Sequence, residues 1–271
     1  MKLFGNLFFF FICFAFLLIN CTHEPKVSTD NNDKAAKKNF VEDARNIGPA
    51  KSDAQVAIEE AHQKIVEEEK RMIGYWVGQF GHDKISIVLS EISNGTAVGH
   101  SICAGKYRRI EGTEQAIAAH KFSYTMNESG NKANDGSFEF TIDLNENTLS
   151  GTWSPYSNKN NIPKSFILQK INIEYKATVG SYPQTSTRRL EESDVINLDA
   201  YALKIMRNEI YARYGYAFKN KEIRKHFELL DWYKPISIDV RDQLSDIEVD
   251  NIALIYDFET YYEEYYDIFG R

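Results

Sequence analysis

Met206-Arg-Asn-Glu-Ile-Tyr-Ala-Arg-Tyr-Gly-Tyr-Ala-Phe218 is a dense helical segment that runs into a glycine and then into a second aromatic run. On helical spacing Leu203, Met206, Ile210 and Tyr214 share one face, and Leu198, Tyr201, Ile205 and Ala212 share the opposite one. A helix that is apolar on two sides is a central helix. The polar residues between those faces, Arg207, Asn208, Glu209 and Arg213, must then lie against packed surface, where an unpaired charge is costly and a paired one fixes neighbouring backbone. Two readings stay open for Arg207, Glu209 and Arg213. They form an internal ion-pair lattice, or the arginines clamp a carboxylate or phosphate of an anionic glycan or peptide terminus. Two apolar flanks that both need burial favour the lattice. Gly215 can take the positive φ that closes the helix.

Outward from this helix, Asp199 or Asn197 supplies its cap, and a second short helix spans Lys221 to Leu230 with Asn220 as its cap. Pro235 stops further helix. Ser245-Asp-Ile-Glu248 is a capping box opening a last helix, with Val249, Ile252, Ile255 and Tyr256 on its expected buried side. The end, Tyr261-Tyr-Glu-Glu-Tyr-Tyr266 with Phe269, is unusually aromatic for a solvated tail. Between Lys204 and Lys225 seven Lys/Arg outnumber Glu209 and Glu222, whereas Glu228 to Asp267 is dominated by acids. The simplest consequence is that the acidic last helix folds back on the basic ones.

Tyr211-Ala-Arg-Tyr-Gly215 resembles the central motif of the bacterial YARHG domain. The likeness extends through Arg207-Asn-Glu-Ile-Tyr211, Phe218, Phe227, Asp231-Trp-Tyr-Lys-Pro235 and Leu244-Ser-x-x-Glu248 to Asn251 and Ile252. It covers Leu190 to Glu259, and it departs at Tyr214, where the family has a histidine. If that histidine served chemistry, this chain has lost it; if it packed beside the glycine, tyrosine substitutes. The resemblance implies an extracellular or cell-envelope domain and carries over no catalytic activity.

Upstream the period changes from helix to strand. Ser137-Phe-Glu-Phe-Thr-Ile-Asp-Leu144 alternates cleanly, with Phe138, Phe140, Ile142 and Leu144 on one face. Similar runs fall at Tyr75 to Phe80, Lys84 to Glu91, Thr96 to Cys103, Lys106 to Glu111, Lys121 to Met126, Thr148 to Ser154 and Ser165 to Ile171. Asn94-Gly95, Ser129-Gly-Asn131 and Asn145-Glu-Asn147 supply turns. About eight short strands with tight connections predict an antiparallel barrel or a strongly curled sheet. Gly74-Tyr-Trp76 is similar to the entrance of lipocalin-type barrels. That likeness implies that Trp76 packs across a closed end and that the interior holds a small apolar ligand. The competing expectation is that Trp76, Phe122, Tyr124, Phe138, Phe140, Trp153 and Phe166 fill the interior themselves.

At the start, Lys2 precedes an apolar run from Leu7 to Ile19, too short and too early for a comfortable membrane span. With Leu18-Ile-Asn-Cys21 it resembles a bacterial lipoprotein signal, although Asn20 replaces the usual small residue. An ordinary cleaved signal and a retained anchor are the alternatives. The resemblance implies cleavage before Cys21 and lipidation of its sulfur, and two or three acyl chains hold a protein durably on a bilayer. Of three cysteines, only Cys103 would then remain, so no intramolecular disulfide is expected. Set in Ser101-Ile-Cys-Ala104, it reads as a buried, inert thiol.

The expected organisation is signal peptide 1–20, polar tether 21–52, spacer helix 53–72, barrel-like domain 73–173, linker 174–189 and helical domain 190–271, an α+β multidomain protein. A net charge of -7 argues against a general nucleic-acid binder. The six histidines are dispersed, and His100 and Cys103 fall on opposite faces of one strand. No phosphate loop, nucleophile elbow or zinc-type cysteine pair is present. The expectation is a non-enzymatic protein without cofactor or metal, lipid-anchored in the envelope. It would present its helical module to an envelope protein or to peptidoglycan, or alternatively carry a small apolar ligand in its barrel.

Overall fold

Eight antiparallel strands close on themselves in the computed structural model, each pairing with the next and the last with the first. The structure describes residues 51–130, 135–157 and 162–265. The signal peptide, Cys21, the tether up to residue 50 and the end of the aromatic tail from Tyr266 lie outside the described residues. The strands are β1 (Gly74–Phe80), β2 (Asp83–Ser93), β3 (Thr96–Cys103), β4 (Lys106–Ala118), β5 (Lys121–Glu128), β6 (Gly136–Asp143), β7 (Thr148–Pro155) and β8 (Lys164–Ile171). β4 continues to Ala118, past the Glu111 limit that its apolar pattern suggested. Its extension is largely exposed and lacks a buried apolar face, and Tyr124 reaches across to donate to Glu114 Oε2 at 3.2 Å.

The inward faces meet as a packed interior rather than a hollow. Trp76, Phe122, Tyr124, Phe138, Phe140 and Phe166 belong to one continuous core, with Tyr124 stacked on Phe140 at 5.1 Å and Phe138 edge-on to Phe166 at 5.9 Å. Helix α1 (Asp53–Met72) seals one end: Met72 is fully buried, its carbonyl accepts from Trp76 Nε1 at 2.9 Å, and Arg71 Nη2 donates to Leu144 O at 2.7 Å. Trp76 therefore sits at the closed end, as the lipocalin-type likeness of Gly74-Tyr-Trp76 implied. The barrel wall needs glycine where strands approach closely. A Cβ on Gly151 would come within 2.1 Å of Glu139 O.

The C-terminal helices are the short α2 (Gln184–Thr187), then α3 (Ala200–Arg213), α4 (Lys221–Glu228) and α5 (Asp246–Tyr265). α3 is central, as its two apolar faces required. Leu203, Met206 and Ile210 pack with Val195 and Ile255, while Ile205 and Ala212 pack with Phe218, Phe227 and Tyr233. Asp199 caps it through Ala202 N, Asn220 caps α4, and Gly215 closes α3 at φ 73°.

α5 keeps only half of its expected buried side: Ile252 and Ile255 pack inward as expected. Val249 and Tyr256 are 50% and 57% exposed, whereas Glu248, Asn251, Ile255 and Glu259 face inward. Partners waiting inside, described below, reverse the usual preference for the apolar face.

Segment 174–189, expected as a linker, is instead built into the helical domain. Val179, Tyr182, Thr185 and Ser186 all bond Arg213.

Barrel and helices form one compact unit, Gln55–Arg271. The outward-facing side chains Val77, Ser86, Val88 and Ile102 are buried although they point away from the lumen. Ser86 Oγ donates to Pro235 O at 2.6 Å, which identifies the helical domain as the cover. Lys84 ties the seam three ways: its N–H donates to Glu228 Oε1 at 3.0 Å, and its Nζ donates to Leu230 O at 2.7 Å and Tyr233 O at 3.2 Å. Arg224 pairs with Asp83 at 3.1 Å. A strand buried on both faces reads as a near-continuous apolar run, and Ile85-Ser-Ile-Val-Leu89 is one.

Glu228 is the weak point of this seam, because its Oε2 is buried without a hydrogen-bond partner among the described residues. Burial and then nearby Asp83 hold its carboxyl above the usual range, against the opposing Lys84 N–H and Arg224. The folded protein therefore keeps this proton to higher pH than the unfolded chain, so stability falls as pH rises through that window. Glu228→Gln is expected to be the more stable protein at pH 7, by less than about 1 kcal/mol because the rest of the side chain is partly exposed. The gap should narrow as pH drops towards about 4. Paired melting curves across that range check it, and a less stable variant at neutral pH would refute it.

Candidate functional site

Arg213 lies where α3 ends, with its side chain wholly shielded from solvent. Nε donates to Val179 O at 2.9 Å, and Nη1 donates to the hydroxyls of Thr185 and Ser186 at 2.7 and 2.8 Å. Nη2 donates to Tyr182 O at 2.8 Å and Glu209 Oε1 at 2.5 Å. A guanidinium has five N–H donors, and all five are committed. Glu209, one turn earlier on the same helix, also accepts from the backbone N–H groups of Ser181 and Tyr182, both at 2.7 Å. Burial pulls the Arg213 pKa down, and the Glu209 carboxylate beside it opposes that pull.

A second hub centres on Glu248, which is fully buried. Oε1 accepts from the hydroxyls of Tyr175 at 2.9 Å and Ser186 at 2.5 Å. Oε2 accepts from the Tyr214 hydroxyl at 2.7 Å and Ser245 N at 2.9 Å. Burial alone would push the Glu248 carboxyl up, but these donors outweigh it and leave it below its ordinary value. Tyr214 is stacked on Tyr175 with ring centres 4.4 Å apart, so its hydroxyl is held on this carboxylate. Burial first, and then Glu248, raise the Tyr214 pKa, and the phenol stays protonated as a donor.

Arg207 lies elsewhere, in a bidentate pair with Glu259 of α5 at 2.6 and 2.9 Å. Asn208 Nδ2 bonds back to Lys204 O at 2.7 Å. Asn251 closes the set, accepting from Leu190 N and donating to the carbonyls of Thr185 and Arg188, all at 2.8 Å. Of the residues singled out in the sequence, Arg213, Glu209 and Tyr214 therefore meet in one lattice with Glu248. Arg207 and Asn208 do not join it. Tyr175, Tyr182, Ser186 and Glu259 were missed, because their partners lie far away along the chain.

The outer side of the lattice is a cleft. Tyr75, His100 and Tyr107 from the barrel wall face Ile173, Tyr175 and Tyr214 across a cavity of about 350 Å³, with Arg213 at its base. His100 stacks on Tyr107 with ring centres 4.7 Å apart, and burial lowers its pKa, so the imidazole is neutral at neutral pH. Tyr107 and Tyr175 are 49% and 41% exposed, and Ile173 and Ile238 beside them are also exposed. Two aromatic stacks, several hydroxyls and no uncommitted guanidinium suit contact by ring stacking and neutral hydrogen bonds.

Cys103 packs against the barrel core, and burial, then Asp83 and Glu228, push its thiol up to about 12. It is a poor nucleophile there. Among the described residues no three His, Cys, Asp or Glu side chains converge as metal ligands, and no helix is long and apolar enough to cross a membrane.

Residues 180–260 match the family model of the YARHG domain. The match starts upstream of Leu190, within the segment that holds Arg213. No curated protein matches the chain.

Proposed function

We propose, with the YARHG domain as premise, that this is a non-enzymatic cell-envelope protein, lipid-anchored through Cys21. Its helical domain, braced by the barrel, would hold an envelope protein or cell-wall partner at the aromatic cleft along the seam. The observation that carries this reading is the gathering of exposed Tyr107, Ile173, Tyr175 and Ile238 around one cleft, on a molecule whose nearby arginine is used up internally. Of the Tyr211–Gly215 motif, Tyr214 then lines the contact surface, while Arg213 supports it from behind.

The test compares the wild-type chain with Tyr107→Ala/Ile238→Ser, two half-exposed changes expected to lower the melting temperature by only a few degrees, the loss of the His100 stack included. Retention of each is measured on purified sacculi and on immobilised envelope proteins. The double variant is expected to lose at least ten-fold in retention on one of the two. Equal retention of both chains, or retention of neither, rejects the cleft as the contact surface. The other reading, a carrier of a small apolar ligand, requires lumen space that Phe138, Phe140, Phe166 and Tyr124 occupy.

A further inference from the structure

At the end of the barrel opposite α1 the lumen changes character. Lys164 shares the inward face of β8 with Phe166 and Leu168, a cation in register with two core residues. Its Nζ lies 5.2 Å from the ring centre of Phe80 and 5.7 Å from that of Trp153, which meet edge-to-face. An ammonium held this way turns its remaining N–H donors away from the rings. These residues, with Phe138, line a cleft of about 300 Å³, the lower end of the range for small-molecule sites.

The acids of this mouth are already engaged. Arg108 Nε pairs with Asp135 at 2.9 Å and lies 3.6 Å from Glu128. Glu128 accepts from Ser101 Oγ, Gly136 N and Trp153 Nε1. Lys164 forms no ion pair with any described residue. The result is an aromatic recess whose available charge is positive. Such a recess disfavours cations and favours an anion with an apolar body.

We propose that the barrel mouth binds a small organic anion, its acid group received by Lys164 and its flat apolar body lying against Phe80, Phe138 and Trp153. The site is separate from the seam cleft, and neither proposal depends on the other.

Two probes that share one fluorophore test it: 8-anilinonaphthalene-1-sulfonate and its uncharged analogue N-phenyl-1-naphthylamine. They are titrated into the chain from residue 22 onward, which contains the whole compact unit. The sulfonate is expected to bind saturably at one site, at least ten-fold tighter than the neutral probe. Lys164→Met should lower sulfonate affinity about ten-fold and leave the neutral probe unchanged, and Lys164→Arg should retain binding. Tyr107→Ala/Ile238→Ser should change neither titration. Equal affinity for the two probes, an undiminished sulfonate titration in Lys164→Met, or no saturable binding would each overturn the proposal.

Discussion

Arg213→Ala is expected to destabilise the protein by about 3–5 kcal/mol, the loss that follows when one partner of a buried charge pair is removed. The side chain makes five hydrogen bonds, and its removal leaves Glu209 charged in the interior with only two backbone donors. Arg213→Lys separates charge from geometry. It restores the cation but not the planar fork that reaches Val179, Tyr182 and Thr185 together, so it should recover only part of the loss. Urea unfolding followed by the fluorescence of Trp76, Trp153 and Trp232 together measures both. A wild-type unfolding midpoint in Arg213→Ala would mean that the lattice contributes nothing, and would return this arginine to the pool of residues free to meet a partner.

Gly215→Val is expected to cost about 3 kcal/mol or more, from a different cause. The residue holds φ 73°, where a β-branched side chain is strained by about 1–3 kcal/mol. Its Cβ would also fall 2.3 Å from Ile236 Cγ1 and 2.6 Å from Lys234 O, an overpacking that adds about 1–3 kcal/mol. Because the backbone at Lys234 must then shift, the seam contacts made by Pro235 and Tyr233 loosen with it. Limited proteolysis should therefore show earlier cleavage between Asp231 and Ile238 than in the wild type. An unchanged melting temperature and an unchanged cleavage pattern would contradict the steric account.

The barrel was legible because its signal is local. Alternation in Phe138 to Leu144 and the Asn94-Gly95 turn, with φ 51° and 73°, follow from a few neighbouring residues. So do the caps at Asn220 and Ser245, and the two faces of α3. The inward face of α5 was legible only in part, through Ile252 and Ile255. Val249 and Tyr256 are apolar enough to suggest burial, and only distant Tyr175, Ser186, Leu190 and Arg207 make Glu248, Asn251 and Glu259 the buried set. The same long-range dependence hid the role of 174–189, whose Ser/Thr-rich composition resembles that of a spacer. The seam has one local signature, Val88, an apolar residue on the outward face of the run Ile85 to Leu89.

Lys84 grips the helical domain with both its backbone and its side chain, and Ser86 and Asp83 act beside it on the same strand. Attachment points clustered at Asp83, Lys84 and Ser86 would share a load applied to either half. The long, largely bare first helix should unravel under tension well before the two halves part. If it is tethered and partnered as proposed, the molecule would bear load as a stiff bracket on a compliant strap and keep its aromatic cleft in shape.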